Sequence, residues 1–204
     1  MITITTGMIK TFEESHEKYD FIYNKHLEIP SNDTYSEIGK KIHALINYSL
    51  KNFNIENIIN TLDTPENKEV KFLWENYEAL NIKNCIESEF TFTIPFNKKI
   101  KLSGRVDAIR KIDDCYEILD WKTGKSSNIN IENDWQTIVY LYSIYNLLKF
   151  HKKIDNPNQL SFTYFFLKEN INMTIKFSNK KYTEYQKKLN NICNKILEYS
   201  QNNY

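Results

Sequence analysis

Apolar residues in the first part of the chain recur at helical spacing. One set follows the candidate N-caps Ser31, Asn32 and Asp33 and predicts a helix over about residues 33–53; its members are Ile38, Ile42, Leu45, Ile46 and Leu50. A second set follows Thr64 and Pro65, a cap with proline at the first helical position, and predicts a helix to about Leu80; its members are Val70, Leu73, Trp74 and Tyr77. The residues before 33 are interpreted as a short N-terminal segment.

The pattern then changes to the period of a β-strand, in which successive side chains face opposite sides of a sheet. The first such stretch alternates the apolar residues Ile86, Phe90, Phe92 and Ile94 with Glu87, Glu89, Thr91 and Thr93. After a turn at residues 95–97, the alternation resumes with Ile100, Leu102, Val106 and Ala108. A turn at Asp113-Asp114 leads to a third strand over residues 116–121. Three consecutive strands with short turns predict a meander.

The last third of the chain combines both periods. Asp134 can cap a helix that carries Trp135, Val139, Tyr142 and Leu147, and Pro157 lies in the loop that follows. Strands are predicted over residues 160–167 and 171–177, with a turn at 168–170. An amphipathic helix closes the chain with Tyr182, Tyr185, Leu189, Ile192 and Ile196. This order of elements predicts an α/β fold with a central mixed β-sheet flanked by α-helices.

Length and charge exclude several classes of protein. A chain of 204 residues without an internal repeat or linker-like stretch is expected to form one domain, residues 1–204, with no room for an ATPase motor. It carries 27 basic and 26 acidic residues, so it does not coat nucleic acid by bulk attraction. No apolar run is long enough to span a membrane, and the first residues lack the pattern of a signal peptide. We expect a cytoplasmic protein.

The cysteines do not suggest a metal or disulfide framework. Cys85, Cys115 and Cys193 stand singly, without the close pairs of zinc or iron–sulfur sites. We expect them to be small packing residues.

Acidic and basic residues on two neighbouring strands form the candidate catalytic constellation. Asp120 and Lys122 lie two apart on the third strand, so the pleat directs both to one face. Asp107 lies near the end of the preceding strand, and antiparallel pairing can bring its carboxylate beside Asp120. Two adjacent carboxylates repel unless a cation separates them, and magnesium takes hard oxygen ligands while keeping waters for a reaction. Lys122 could polarise such a water and offset charge on a phosphate, which indicates phosphodiester hydrolysis.

The acid-x-Lys spacing alone has little specificity. The chain contains it again at Glu66-Asn67-Lys68 and Glu69-Val70-Lys71, within a predicted helix, where we expect solvated faces. Taken alone, Asp120 and Lys122 would more often be a surface pair on an edge strand than a catalytic pair.

Four motifs in series strengthen the interpretation. They are Gly39-Lys40-Lys41-Ile42-His43, Gly104-Arg105-Val106-Asp107-Ala108-Ile109, Glu117-Ile118-Leu119-Asp120-Trp121-Lys122-Thr123-Gly124-Lys125 and Gln136-Thr137-Ile138-Val139-Tyr140. In this order they resemble the RecB-like (Cas4-like) branch of the PD-(D/E)XK nucleases, over about residues 37–145. The resemblance implies a restriction-endonuclease-like core and a nuclease that uses Mg²⁺ or Mn²⁺.

The same resemblance implies roles for individual residues. The metal ligands would be His43, Asp107, Asp120 and the main-chain carbonyl of Trp121, and Lys122 would assist the attacking water. Gln136 and Tyr140 match the family's Gln-x-x-x-Tyr and lie on one helix face, where they could support the site or touch nucleic acid. Many members of this branch carry an iron–sulfur cluster on four cysteines, but this chain lacks the N-terminal cysteine, so we expect no cluster.

Each of these residues also has a structural interpretation. His43 lies beside an apolar stripe, where a histidine is often a packed, hydrogen-bonded residue. Tyr140 fits the core as well as a contact with substrate. Arg105 and Lys125 could bind phosphate or be solvated. Gly104 and Gly124 could serve turns, bulges or close backbone approach.

The function expected from the sequence is a metal-dependent deoxyribonuclease, more often an exonuclease by analogy with the family, acting in repair, recombination or defence. Its partners would be DNA and a helicase or other repair protein in trans, with no membrane. One alternative is a catalytically silent DNA-binding subunit of a helicase–nuclease complex. Another is a hydrolase of a different phosphoester, including RNA.

Overall fold

The computed structural model of the chain describes residues 1–27, 34–128 and 130–202. Six strands and seven α-helices lie within these residues, in the order β1 (Ile2–Thr5), α1 (Thr6–Glu14), α2 (His16–Tyr19), α3 (Thr34–Leu50), α4 (Glu56–Asn60), α5 (Lys68–Ala79), β2 (Cys85–Pro95), β3 (Ile100–Ile112), β4 (Cys115–Lys122), α6 (Trp135–Phe150), β5 (Leu160–Phe166), β6 (Ile171–Lys176) and α7 (Asn179–Asn202). Among the described helices, none is both long and apolar enough to cross a bilayer.

The strands form one mixed sheet, which confirms the predicted fold class. β2, β3 and β4 are the predicted antiparallel meander, and a turn at Asp113, whose φ is 51°, joins β3 to β4. β4 pairs with β5 in parallel, and β5 pairs with β6 in antiparallel orientation. The sheet path runs β1-β3-β4-β5-β6, with β2 on the other edge of β3.

Helices cover both faces of the sheet. On one face, α1, α6 and α7 bury residues such as Ile9, Leu141 and Leu189 against Val106 and Phe162. On the other face, α3 and α5 pack against a smaller set of strand residues that includes Ala108, Leu119 and Phe165. Burying each large apolar side chain stabilises the fold by roughly 1.5–3 kcal/mol.

The N-terminal segment contains regular structure that the sequence pattern did not predict. β1 pairs in parallel with the start of β3, in the register Ile2 to Ile100. The side chain of Thr5 then caps α1 by accepting a hydrogen bond from the backbone of Met8. A strand of four residues is too short to show a clear period, and its partner is remote in sequence.

The predicted helices need small corrections. The caps proposed at residues 31–33 lie outside the described residues, and α3 ends at Leu50 rather than near 53. Asn52 has a left-handed φ of 57°, and the N–H of Phe53 returns to the carbonyl of Tyr48, as in a Schellman ending. Residues 65–67 form a 3₁₀ turn before α5, with Thr64 at its N-cap position and Pro65 in its first turn as predicted, although the Thr64 side chain makes no cap hydrogen bond.

The cysteine prediction is confirmed in part. Cys193 is buried and belongs to the larger core cluster, and Cys85 is half-buried. Cys115 is exposed at the start of β4, so its prediction as a packing residue was wrong. A position next to a tight turn lies at the end of the sheet, beyond the cover of the helices.

The predicted alternation in β2 fails at Ile86, which is 48% exposed. The register shifts between Cys85 and Glu87, so Ile86 is the additional residue of a β-bulge. Phe92 and Ile94, beyond the bulge, are buried as predicted.

At a second irregularity, the side chains of β2 and β3 switch from one face of the sheet to the other. The switch occurs at neighbouring residues of the two strands. Phe90 packs against the α6 side of the sheet, whereas Ser88, also an even position, donates a hydrogen bond to Asn47 of α3 on the opposite face. In β3, Val106 packs on the α6 side and Ala108 on the α3 side. The reversals lie at Glu89, whose φ of 50° is left-handed, and at its neighbour Asp107.

Candidate metal and catalytic site

A gap in strand pairing places the Gly-Arg-Val-Asp motif. On one edge of β3, β1 pairs with residues 100–103 and β4 pairs with residues 108–112. Residues 104–107 lie between these partners. In place of a neighbouring strand, the side chain of Asp107 accepts a hydrogen bond from the main-chain N–H of Trp121, at 2.8 Å. The Asp107 carboxylate is therefore anchored to the end of β4, beside Asp120.

His43 on α3 faces this junction. Its Nδ1 lies 3.3 Å from Oδ1 of Asp107. Its Nε2 lies 2.9 Å from the main-chain carbonyl oxygen of Trp121. Burial alone lowers the pKa of His43, but the hydrogen bond and charge of Asp107, the charge of Asp120 and the Trp121 carbonyl outweigh it, so the pKa is raised.

Asp120, only 3% exposed, is held by Gln136 and Lys122. Its Oδ1 accepts a hydrogen bond of 2.5 Å from Nε2 of Gln136, and its Oδ2 lies 2.7 Å from Nζ of Lys122. The same Nζ donates to Oε1 of Gln136, at 2.8 Å. Burial and the nearby charge of Asp107 raise the pKa of Asp120 to about 6, although Lys122 opposes this.

Glu89 also reaches the site, which the sequence did not predict. Ligand atoms of His43, Glu89 and Asp107 all lie within 4.8 Å of one another. In a regular strand, Ser88 and Glu89 would face opposite sides, but here both reach α3. The alternating pattern assigned Glu89 to the solvent-facing side of β2. Its left-handed φ, which turns the side chain toward α3, is visible only in the structure.

The donor set fits a divalent cation. It offers an imidazole nitrogen, carboxylates and a carbonyl oxygen, which suit Mg²⁺ or Mn²⁺. Asp120 does not belong to the group of His43, Glu89 and Asp107, since its carboxylate faces Gln136 and Lys122. Its Oδ2 is nevertheless buried without a hydrogen bond of good geometry. A buried carboxylate oxygen beside a second carboxylate is a place where a cation offsets repulsion.

Comparison with known proteins identifies the family. The profile of the PD-(D/E)XK nuclease superfamily matches residues 4–204. The chain belongs to this superfamily. Comparison with curated protein sequences gave no match.

A solved structure shares the fold of this PD-(D/E)XK nuclease. It is a protein from Eubacterium rectale whose crystal structure is described as "Putative exonuclease". The two superpose with a TM-score of 0.64 at 13% identity, over 99% of this chain and 82% of the other. At that identity the similarity demonstrates the fold alone.

The remaining motif residues of the nuclease lie at different distances from its site. Tyr140 is 6% exposed, and its hydroxyl interacts with the Arg105 backbone and with Gln136. A Cβ on Gly104 would lie 2.7 Å from the Tyr140 ring, so this glycine permits close packing, as expected. Gly124 has no such neighbour within 4 Å. Arg105 lines a pocket with His43 and Glu89.

Lys125 and the second acid-x-Lys pair lie outside this arrangement. Lys125 is exposed on the loop after β4, and its positive charge acts on Glu169. On α5, Glu69 pairs with Lys168 and Lys71 pairs with Asp63 at the surface, as expected for a solvated face. The side chain of Glu66 is outside the described set.

Proposed function

We propose that this chain is a Mg²⁺- or Mn²⁺-dependent deoxyribonuclease of the RecB-like branch, which hydrolyses DNA phosphodiester bonds as an exonuclease in repair, recombination or defence. The observation that carries the proposal is the convergence of His43, Asp107 and the Trp121 carbonyl beside the buried Asp120–Lys122 pair. The description of the Eubacterium rectale protein supports the exonuclease assignment. A cytoplasmic location and a helicase or repair partner in trans belong to the same proposal.

The proposed ligands are His43, Asp107, Asp120 and the Trp121 carbonyl, with Glu89 as an additional carboxylate. A bound divalent cation would polarise a phosphate oxygen and lower the pKa of a water molecule. The protein holds the ligands in place through the Trp121 N–H, which donates to Asp107, and through Gln136, which donates to Asp120. These fixed hydrogen bonds reduce the rearrangement that substrate binding requires.

We assign to Lys122 the contact with the phosphate that is cleaved. Its ammonium lies between Asp120 and Gln136, above the ring of Tyr164 at 5.2 Å from the centroid. It can offset negative charge that develops on the phosphate and orient the attacking water. Gln136 and Tyr140 support this arrangement, since both are turned toward the site residues rather than toward solvent.

The test is degradation of end-labelled single- and double-stranded DNA with Mg²⁺, Mn²⁺ or EDTA. We expect metal-dependent loss of label that Asp120→Asn and Lys122→Ala abolish. Lys71→Ala is the matched control, because Lys71 belongs to an acid-x-Lys pair on a helix surface. RNA and a simple phosphodiester serve as competing substrates.

Two further outcomes decide between the alternatives. Covalently closed circular DNA should resist an exonuclease, whereas nicking of the circle would assign an endonuclease. DNA binding without cleavage under every metal condition would instead support the silent DNA-binding subunit and contradict the proposal.

A further inference from the structure

The pocket beside the candidate site contains an arginine that the catalytic arrangement does not use. The pocket has a volume of about 550 Å³ and lies between α3 and the strands β2 and β3. Gly39, Lys40, His43, Ala44 and Asn47 line it from α3, and Glu89 and Arg105 line it from the sheet. Its volume lies within the usual range of ligand pockets.

Glu89 fixes the orientation of Arg105. The Nε of Arg105 lies 2.8 Å from Oε2 of Glu89, and the Glu89 side chain is only 19% exposed. The Arg105 side chain itself is 65% exposed. A guanidinium has five N–H donors, and a contact through Nε leaves its two terminal nitrogens available as a planar fork.

The position of this fork follows from the geometry of β3. Arg105 lies two residues before Asp107 in the stretch of β3 that has β2 on one edge and, among the described residues, no strand partner on the other, and both side chains face α3. Alternate residues of a strand are about 6–7 Å apart. A polynucleotide whose reacting phosphate lies at Asp107 and Lys122 would therefore bring its neighbouring phosphate, one nucleotide away, toward Arg105. Lys40 also lines this pocket, but its ammonium is paired with Glu37 at 2.7 Å, so Arg105 is the candidate for the phosphate contact.

We propose that Arg105 binds a phosphate adjacent to the one that is cleaved, through the two terminal nitrogens of its guanidinium. The site therefore recognises the backbone of a polynucleotide rather than an isolated phosphoester. This inference rests on the proposed nuclease function and specifies the substrate that its site accepts. Glu89 is the positioning residue for this contact as well as a member of the candidate metal group.

The test measures binding of a fluorescent DNA oligonucleotide at several salt concentrations in EDTA, so that no cleavage occurs. We expect Arg105→Gln to weaken binding about fivefold to tenfold at 0.1 M salt and to reduce the slope of log K against log salt by about one. Arg105→Lys keeps the charge but lacks the fork, so it should keep the slope and bind more weakly than wild type. Lys101→Gln removes one charge from an exposed position on the same strand, outside the pocket, and is the control.

The outcomes separate this inference from the proposed function. Suppose that the wild type cleaves DNA with metal, but Arg105→Gln and Lys101→Gln bind DNA with the same affinity and salt slope. That result would overturn the role of Arg105 and leave the proposed function standing. A wild type that neither binds nor cleaves DNA would overturn the proposed function and this inference together. Because Arg105 is largely exposed, its replacement should leave the fold intact, which thermal unfolding checks.

Discussion

Lys122 donates a hydrogen bond of 2.8 Å from Nζ to Oε1 of Gln136, and the other end of the same amide donates to Asp120. One side chain of α6 therefore fixes both the ammonium and the carboxylate of β4. Holding both groups takes one hydrogen-bond acceptor and one donor on the same side chain, and an amide supplies both.

Replacing Gln136 should impair cleavage without unfolding the protein. We expect Gln136→Ala to reduce the rate about 10- to 100-fold, the usual effect of removing a group that orients site residues. Gln136→Glu should be at least as harmful, because it places a second carboxylate against Asp120 although it retains an acceptor for Lys122. Single-turnover rates measure the effect, with Gln186→Ala of α7 as the control glutamine. Full activity of Gln136→Glu would mean that only the contact with Lys122 matters.

Glu89 should show a conflict between stability and metal binding. Its left-handed φ of 50° is strained for glutamate but accessible to asparagine. We expect Glu89→Asn to leave the free energy of unfolding unchanged or to raise it by up to about 1 kcal/mol. The same change should weaken Mn²⁺ binding about tenfold or more, measured by calorimetry, as should His43→Ala.

Thr91→Asn is the comparison for this prediction. Thr91 is exposed two residues further along β2 and is not among the residues with a positive φ. Asparagine is unfavourable in regular strands, so this change should lower the free energy of unfolding by up to about 1 kcal/mol. Equal losses of stability at both positions would argue against strain at Glu89.

The two motif glycines should respond differently to alanine. At Gly104, the new Cβ would lie 2.7 Å from Cε1 of Tyr140 and 2.8 Å from Cζ of Phe92. We expect Gly104→Ala to lower the free energy of unfolding by about 1–3 kcal/mol through overpacking. Gly124→Ala meets no atom within 4 Å and should be neutral or raise stability by about 0.4–1 kcal/mol. Urea denaturation measures both, and a neutral Gly104→Ala would contradict the packing found here.

The cysteines should react with a thiol reagent in three distinct phases. Cys115 is exposed and should react first. Burial raises the pKa of the Cys85 thiol, so less thiolate is available and reaction is slower. Burial raises the pKa of Cys193 to about 12, so this thiol should react only after unfolding. Single Cys→Ser variants assign each phase, and rapid reaction of Cys193 in the folded protein would be inconsistent with its burial.

Local sequence pattern was sufficient for the long elements. The helices α3, α5 and α7 and the strands β2, β3 and β6 follow from periodicity, because an element that buries one face repeats its apolar residues with the period of its backbone. The elements α6, β4 and β5 are buried on nearly all sides and follow instead from apolar runs bounded by a cap or by turns. The i, i+2 spacing likewise placed Asp120 and Lys122 on one face of β4. The ends of elements were less accurate, since caps and bulges depend on a few residues.

Tertiary structure decided what periodicity could not. His43 meets the carbonyl of Trp121 across a sequence separation of 78 residues. The sequence assigned His43 to this site through its motif, but only the packing of α3 on the sheet brings the two groups together. β1 was missed because four residues carry too little pattern and their partner is remote. Glu89 was missed because a left-handed φ reverses the faces of its strand, and such a reversal leaves no mark in an alternation of apolar and polar residues.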